Sequence, residues 1–249
     1  MTRLTHPQML ELERWNTTTV YNGWEAATRQ DRARGWFNRE ESCDDMPDMG
    51  PMVGHALTVV CETSKPERAR ANPRAWTEYR ELMAGVPGRK ILVVQDLDEP
   101  DVIGAFWGEV NSNVHRALGR VGTITDGAIR DLDEMPNAVF TAIARRMCVG
   151  NAYSGPVYWN CEVEVFGTTI CPGALLHAGE HGFLVNPEED EVRLLEAMVF
   201  MDQNERNTAV PAARSSAGKP VSDILAALDE ADRLLTEVAR RKLGQKGEW

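Results

Sequence analysis

The 249-residue chain is short of positive charge, with 27 Lys and Arg against 38 Asp and Glu and a formal net charge of −11. Binding to a nucleic-acid backbone needs clustered Lys and Arg, so this balance argues against a nucleic-acid partner. No apolar run approaches the length of a membrane span, and the first residues lack the apolar core of a signal peptide. We therefore expect a cytoplasmic protein without a membrane partner.

Cysteine is also scarce. The chain has five cysteines, an odd number, and none of them shows CxxC spacing: Cys43, Cys61, Cys148, Cys161 and Cys171. We expect reduced thiols, since neither a disulfide framework nor a zinc site fits this pattern. The remaining composition, 43% hydrophobic and 26% charged, is ordinary for a folded domain.

The most informative stretch is 108–131. Its first part predicts a helix that starts at Gly108 and ends at Gly119 and Gly122. Four apolar residues recur there at helical spacing: Val110, Val114, Ala117 and Leu118. The second part predicts a brief buried strand over 121–125, then a turn at Asp126-Gly127, with Arg130 and Asp131 directly after it.

These residue types permit a specific chemistry. A helix start offers unpaired backbone N–H groups that suit a carboxylate. Arg130 could stabilise a developing oxyanion, and Asp131 is a hard oxygen ligand for Mg²⁺ or Mn²⁺. Glu109 could hold a metal-bound water. The residue types alone leave open a simpler interpretation, a surface Arg-Asp pair beside a turn.

The same residues resemble the central signature of RraA-like proteins, a family that includes metal-dependent 4-hydroxy-4-methyl-2-oxoglutarate aldolases. The signature is carried by Gly108-Glu109, by Gly119, and by Gly-Thr-Ile-Thr-Asp-Gly-Ala-Ile-Arg-Asp at 122–131. Residues 50–59 resemble the early strand of the family, 90–94 the strand before the site, and 166–173 the late hairpin. The likeness extends over roughly residues 16 to 190.

The resemblance implies a fold and an assembly. It implies an α/β protein, a layered α/β/β/α domain of the swivelling type with a mixed sheet. One domain would span 1–203, with a polar insertion near 29–50, followed by a linker and C-terminal helix over 204–249. That helix could pack on its own domain or on a neighbouring subunit. The family also implies a homotrimer or a dimer of trimers, with active sites at subunit boundaries.

The resemblance also implies roles for individual residues. The backbone of Gly108, Glu109, Val110 and Asn111 and the Arg130 side chain would bind substrate. Asp131 would bind Mg²⁺ or Mn²⁺ directly, and Glu109 through a water. We expect Arg130, Asp131 and Glu109 to be the catalytic residues, with Glu134 in a supporting role.

Three functions follow. The first is a metal-dependent lyase, an aldolase that cleaves a 4-hydroxy-2-oxo acid to pyruvate or a related 2-oxo acid through an enolate. The second, oxaloacetate decarboxylation, passes through the same enolate. The third is a non-catalytic regulator of the RraA type that binds RNase E. Regulatory members often lack the Asp after the Arg, so Asp131 favours an enzyme.

Some positions depart from the family pattern. Asn22 stands where the family has Asp, and Ala174 and Gly179 replace two expected aspartates of the late hairpin. His177 and His181 are four residues apart, but in a strand that spacing separates them by about 13 Å, which argues against shared metal ligation. Asp96, Asp98 and Glu99 could form a metal cluster, but a solvated turn is the more ordinary interpretation.

Elsewhere the pattern predicts further elements. Helices are expected at 7–15, from 16 through Ala27, and at 66–83, 187–201 and 221–243. Strands are expected at 52–60, 91–94, 138–140, 157–159, 162–165 and 169–171, with a hairpin over 175–185 and a polar linker over 204–219.

Overall fold

The computed structural model describes residues 3–244. Its strands are β1 Cys43–Asp44, β2 Met52–Cys61, β3 Lys90–Asp96, β4 Ala105–Trp107, β5 Arg120–Ile129, β6 Thr141–Met147, β7 Pro156–Trp159, β8 Val163–Val165, β9 Thr168–Ile170, β10 Leu175–Gly179 and β11 Gly182–Asn186. Its helices are α1 His6–Leu12, α2 Thr17–Ala27, α3 Pro66–Ala71, α4 Ala75–Gly85, α5 Glu109–Ala117, α6 Glu191–Asn207, α7 Ala209–Ser215 and α8 Val221–Leu243. Within the described residues, no helix combines the length and apolar character that a membrane span requires.

A mixed sheet forms the centre of the larger of two compact units, which comprises 4–17 and 33–188. The strands follow the order β1-β6-β5-β3-β2-β10-β11, with β4 added beside β5 and β7 beside β2. The pairs β2–β3, β3–β5 and β5–β6 are parallel, while β10 runs antiparallel to β2. The mixed α/β fold expected from the sequence is confirmed.

Side chains alternate between the two faces of this sheet. Leu57, Val59 and Leu92 belong to an apolar cluster that also contains Tyr79 and Trp107. Their neighbours in sequence point the other way, into a cluster with the β8–β9 hairpin and β10. Because both faces are covered, β2 and β3 consist mostly of apolar residues, as parallel strands commonly do, whereas β5 also buries Thr123, Thr125 and Asp126.

The predicted turn at Asp126-Gly127 is wrong, because strand β5 continues through both residues. The sequence places a turn at Asp126-Gly127, but both residues lie inside β5, which is buried along its whole length. The ladder with β6 shifts register between Thr125 and Ala128, which accommodates the irregularity. The Asp126 carboxylate accepts a hydrogen bond from the Asp96 backbone N–H at 2.7 Å. A partner from the neighbouring strand therefore allows a polar residue within the sheet.

Several other boundaries also differ. The helix expected over 66–83 is two helices, α3 and α4, because Pro73 lies between them. Residues 135–138 form a short 3-10 turn, and the strand expected at 138–140 begins later, at Thr141. The segment 204–219 is largely helical, in the end of α6 and in α7. The hairpin over 175–185 and the helix over 221–243 are confirmed.

In the described part of the chain, the smaller unit comprises residue 3, 18–32 and 189–244. In it α2 lies directly against α6, since a Cβ at Gly23 would come within 2.4 Å of the Met198 Cα. Small and flexible apolar side chains from α2, α6 and α8 fill the contact: Ala26, Ala27, Ala197, Met201, Ala239 and Leu243. Close helix packing thus explains a glycine in the middle of a helix.

Candidate functional site

The site begins where two parallel strands end side by side. Trp107 closes β4 and Ile129 closes β5, and the Arg130 N–H donates to the Trp107 carbonyl at 3.1 Å. This pairing sets Gly108, the first residue after β4, against Arg130 and Asp131, the first residues after β5. Polar residues at the carboxyl ends of neighbouring parallel strands commonly form ligand sites in α/β proteins.

Gly108 is required by the close approach of its neighbours. A Cβ at this position would lie 2.6 Å from Asp131 Oδ2 and 3.1 Å from Arg130 Cγ. Its backbone is extended, with φ −172°, so its conformation itself does not demand glycine. Because glycine has no Cβ, the start of α5 can lie directly against the Arg130 and Asp131 side chains.

Asp131 caps α5 from outside the helix. Its Oδ2 accepts the Glu109 N–H at 3.0 Å and lies 3.5 Å from Arg130 Nε. A carboxylate at a helix N-terminus is favoured by the helix dipole. Asp131 also has a positive φ of 58°. Such a conformation costs on the order of 1–3 kcal/mol and is enriched at functional sites.

These residues open into a cleft with a volume of about 190 Å³. An aromatic stack forms one part of its lining, with the Trp76 and Phe106 rings 5.4 Å apart and 28° from parallel. The Arg80 guanidinium lies over the Trp76 ring, 5.0 Å from its centre, and lines the same cleft. The cleft therefore contains a second guanidinium besides Arg130.

Three buried polar atoms in this lining have no hydrogen-bond partner among the described residues: Trp107 Nε1, Asn111 Oδ1 and Ser154 Oγ. Buried polar atoms in folded proteins are nearly always hydrogen-bonded, so each exception requires an explanation. Three exceptions in one cleft indicate a place where a polar ligand or water completes the bonding.

A buried pair holds α5 in place from behind. The His115 Nδ1 donates to the Asn111 carbonyl at 2.6 Å, so its Nε2 accepts from the Tyr79 hydroxyl at 2.9 Å. Burial lowers the pKa of His115 to about 4 and keeps the imidazole neutral. The bond to Tyr79 attaches the last turn of α5, which carries His115, to α4.

The sequence pattern of the RraA-like family, described as aldolase/RraA, matches residues 20–185. The chain belongs to the RraA-like family. Its sequence is also 24% identical to protein DlpA of Legionella pneumophila over 106 residues. That match spans 42% of this chain and only 17% of DlpA.

Two solved structures share the fold. An uncharacterized protein from Pseudomonas syringae pv. tomato superposes with a TM-score of 0.68 at 20% identity, over 93% of this chain and 95% of that one. Streptomyces coelicolor RraAS2, described as an unusual member of the RNase ES inhibitor RraA protein family, gives 0.60 at 18% identity, over 83% and 97%. At these identities the likeness shows the fold alone.

Within this family member, the expected site residues occupy different positions around the cleft. Gly108, Val110, Asn111, Arg130 and Asp131 all line it. Glu109 is exposed at the start of α5, outside the lining, although its backbone N–H reaches Asp131. Glu134 is also exposed and does not line the cleft, and its N–H bonds to the Asp131 carbonyl.

The predicted apolar positions of α5 are buried only in part, since Leu118 is half-buried against the cluster of Tyr79 and Trp107. Val110 is 75% exposed, whereas the buried side chains of the helix are Ser112 and His115. The Ser112 hydroxyl donates to the Gly108 carbonyl at 2.6 Å, and His115 pairs with Tyr79. Because both polar side chains are hydrogen-bonded, the helix buries them and leaves Val110 beside the cleft.

Sequence reasoning missed one part of the lining. Trp76 and Arg80 lie on α4, and Asn151 and Ser154 lie in the loop before β7. Tyr79 is buried in the core, whereas the half-buried Trp76 packs against that core and also lines the cleft. The one available signal is the spacing of Trp76 and Arg80, which puts them on one face of a helix.

A second polar region lies where Asp96, at the end of β3, meets Asp126 inside β5. Burial raises the pKa of Asp126 to about 7 and that of Asp96 to about 6. Arg145 lies beside them, with its Nε donating to the Asp126 carbonyl and Glu99 at 3.3 Å from its Nη2. Asp98 accepts the Ser64 N–H at 2.7 Å.

The two metal alternatives raised by the sequence find no support. No group of three or more His, Cys, Asp or Glu side chains within 3–244 is placed to hold a metal ion. His177 is fully buried, donating through Nε2 to the Leu12 carbonyl and accepting from Thr17, whereas His181 is exposed. Burial lowers the pKa of His177 to about 4, so it is a neutral core histidine.

Proposed function

We propose that this RraA-like protein is a divalent-metal-dependent carbon–carbon lyase that acts on a 2-oxo acid. The observation that carries the proposal is the convergence of three groups on one cleft. These are the N-terminus of α5, the Arg130 guanidinium and the Asp131 carboxylate. These groups can bind the substrate carboxylate, stabilise the enolate oxygen and hold a metal ion, respectively. The RraA-like family also includes aldolases.

The start of α5 is suited to the carboxylate of the substrate. The Glu109 N–H is taken by Asp131, while the next N–H groups, of Val110 and Asn111, belong to the first helical turn and have no partner within the helix. Their dipoles favour an anion at this position. The unpartnered Asn111 Oδ1 and Trp107 Nε1 lie in the same lining and can bind polar atoms of a ligand.

Asp131 fits a mostly hydrated Mg²⁺ or Mn²⁺. Its side chain is 34% exposed and one carboxylate oxygen is held by the helix N–H, which leaves the other oxygen available to the cleft. Mg²⁺ is commonly bound through one or two carboxylates and keeps several waters. Glu109, also a carboxylate, is exposed next to it and could hold one of those waters. A bound ion would supply Lewis-acid stabilisation of negative charge on the keto oxygen.

Arg130 stabilises the charge that develops during cleavage. When the bond between C3 and C4 of a 4-hydroxy-2-oxo acid breaks, the 4-hydroxyl loses its proton and C4 becomes a carbonyl. The bonding pair passes to C3 and the keto oxygen as an enolate, and protonation of C3 gives pyruvate. The guanidinium, 40% exposed and beside Asp131, can donate to that oxygen. Oxaloacetate would lose carbon dioxide through the same enolate.

Arg80 supports a substrate with a second acidic group. Its guanidinium is stacked on Trp76 and makes no ion pair with a carboxylate in the described part of the chain. Stacking limits its motion, so little entropy is lost when it binds an anion. The site therefore fits a dicarboxylic 2-oxo acid better than pyruvate-sized monoacids.

The test is an assay of pyruvate release from a panel of 4-hydroxy-2-oxo acids and oxaloacetate, with and without Mg²⁺. We expect turnover of at least one dicarboxylic member that stops in excess EDTA. Turnover that is unaffected by EDTA contradicts the metal-dependent mechanism. No turnover of any member contradicts the lyase and favours the alternative, a regulator that binds RNase E.

A further inference from the structure

A second cleft is lined by residues of the 34–39 segment and of the β8–β9 hairpin. It shares no lining residue with the Arg130 cleft. Its volume is about 360 Å³. Six side chains line it: Arg34, Trp36, Arg39, Glu164, Thr168 and Thr169. Pockets for small organic ligands commonly measure about 300–1,000 Å³. The cleft is therefore large enough for a small organic molecule rather than a bare ion.

Arg39 is packed between two glycines. A Cβ at Gly35 would lie 2.6 Å from Arg39 Nη2, and a Cβ at Gly167 would lie 3.2 Å from Arg39 Cβ. Both glycines also have positive φ, 83° and 69°, which other residues rarely adopt. The backbone on both sides thus leaves a channel for this one arginine side chain.

The segment that carries these residues is fixed to the sheet. The Arg39 N–H donates to the Phe166 carbonyl at 2.9 Å, and the Val185 N–H donates to the Trp36 carbonyl at 2.6 Å. The Phe183 N–H donates to Asn38 Oδ1 at 3.0 Å. The region expected to be a polar insertion is therefore bonded here to the turn between β8 and β9 and to β11, which fixes the backbone that carries the arginines.

The charges of this cleft are unbalanced. The Arg39 guanidinium donates to the Arg34 carbonyl at 3.4 Å, which brings the two arginines together. Within 3–244, neither Arg34 nor Arg39 forms an ion pair with a carboxylate. Glu164 is the one acidic side chain among the lining residues. In a chain with a net charge of −11, a cleft lined by two arginines that form no ion pair and by a single carboxylate is an exception that needs a cause.

We propose that this cleft is a binding site for a small organic anion, whose phosphate or carboxylate group is held by Arg34 and Arg39. Guanidinium groups match the planar arrangement of these oxyanions and bind them through paired hydrogen bonds. Trp36 offers a flat apolar surface for the body of the ligand. The hydroxyl of Thr169 lies in the lining as a further donor. The site is separate from the proposed lyase centre and does not depend on it.

Titration calorimetry on the full chain at constant ionic strength tests this. The probes are adenosine monophosphate and citrate, with adenosine as the neutral comparison. We expect one of the two anions to bind and adenosine to bind far more weakly, and the preferred anion identifies phosphate or carboxylate as the recognised group. Arg34→Gln and Arg39→Gln should each weaken binding about 10-fold or more, as expected for a lost charged hydrogen bond.

Two further variants locate the binding. Arg130→Gln removes the guanidinium of the other cleft, and Arg70→Gln removes an exposed arginine of α3; both should leave the affinity unchanged. Melting temperatures establish that each variant is folded. Binding that survives in folded Arg34→Gln and Arg39→Gln, or that is lost in Arg130→Gln, overturns the proposal. The proposal is also overturned if neither anion binds at millimolar concentration. In that case, a change of oligomeric mass in Arg39→Gln would indicate that Arg34 and Arg39 form a contact between copies of the chain.

Discussion

Substitution of Arg80 should weaken the binding of 2-oxo acids that have two carboxylates and leave the binding of those with one carboxylate unchanged. We expect Arg80→Gln to weaken binding of 2-oxoglutarate about 10-fold, because a charged hydrogen bond to the distal carboxylate is lost. Binding of 2-oxopentanoate, which has the same chain length and no distal carboxylate, should not change. Calorimetry with both ligands measures this, and Arg116→Gln, an exposed arginine of α5, is the control. An equal loss for both ligands would contradict the assignment.

Asp126 should control how stability depends on pH. Its pKa is raised by burial to about 7, against an ordinary value near 4 in the unfolded chain. Between these values the unfolded state has lost the proton and the folded state still holds it, so the free energy of unfolding falls as pH rises from about 4 to 7. Asp96, with its pKa raised to about 6, contributes in the same direction.

Asp126→Asn tests this at one residue. The amide oxygen can still accept the Asp96 N–H, so the fold should be retained. We expect the variant to gain stability relative to the parent at pH 8 but not at pH 4, and its decline across this interval to be smaller. Denaturant unfolding at a series of pH values provides the measurement, with exposed Asp101→Asn as the control. Parallel pH profiles for parent and variant would contradict the prediction.

At the scale of elements, the unit β4–α5–β5 depends on Gly108. Gly108→Ala places a Cβ 2.6 Å from Asp131 Oδ2, so Asp131 or the start of α5 must move. Overpacking of this kind costs about 1–3 kcal/mol of stability, and the displaced carboxylate should also reduce turnover. Gly85→Ala is the matched control, since no atom lies within 4 Å of its Cβ position. Full activity in Gly108→Ala would show that the close contact is not required.

The sequence was sufficient to predict α5 and the residues that surround its N-terminus. Glycines bound the helix, and the long motif through Arg130 and Asp131 is specific enough to locate both. The length of β5 could not be predicted, because Asp126-Gly127 is a strong turn signal and only the Asp96 N–H of the neighbouring strand makes it compatible with a sheet.

The remaining lining depends on contacts between segments that are distant in sequence. Trp76 and Arg80 reach the cleft only because α4 packs beside β4, and Ser154 because its loop returns there. Local periodicity contains no information on either packing arrangement. The same holds for Arg39, whose position depends on Gly167 in a distant turn. These residues could be identified only in the folded chain.

At the scale of the whole molecule, the chain combines the mixed α/β fold of the RraA-like family with a cleft in which Arg130 and Asp131 form an ion pair. From the acidic net charge we expect small ligands rather than nucleic acids as partners, which stays a prediction. The family expectation of a trimer stays a prediction, as does the contribution of a neighbouring subunit to the site.

The most direct test of the central claim is the metal dependence of pyruvate release in Asp131→Asn. Asparagine tolerates the positive φ of this position, and its amide oxygen can still cap the Glu109 N–H, so the variant changes mainly the charge. With the best dicarboxylic substrate, we expect the parent to require Mg²⁺ and the folded variant to lose about 100-fold or more in kcat, comparable to the loss of a group that stabilises the transition state. Equal kcat values for parent and variant at saturating Mg²⁺ would contradict the proposed lyase site.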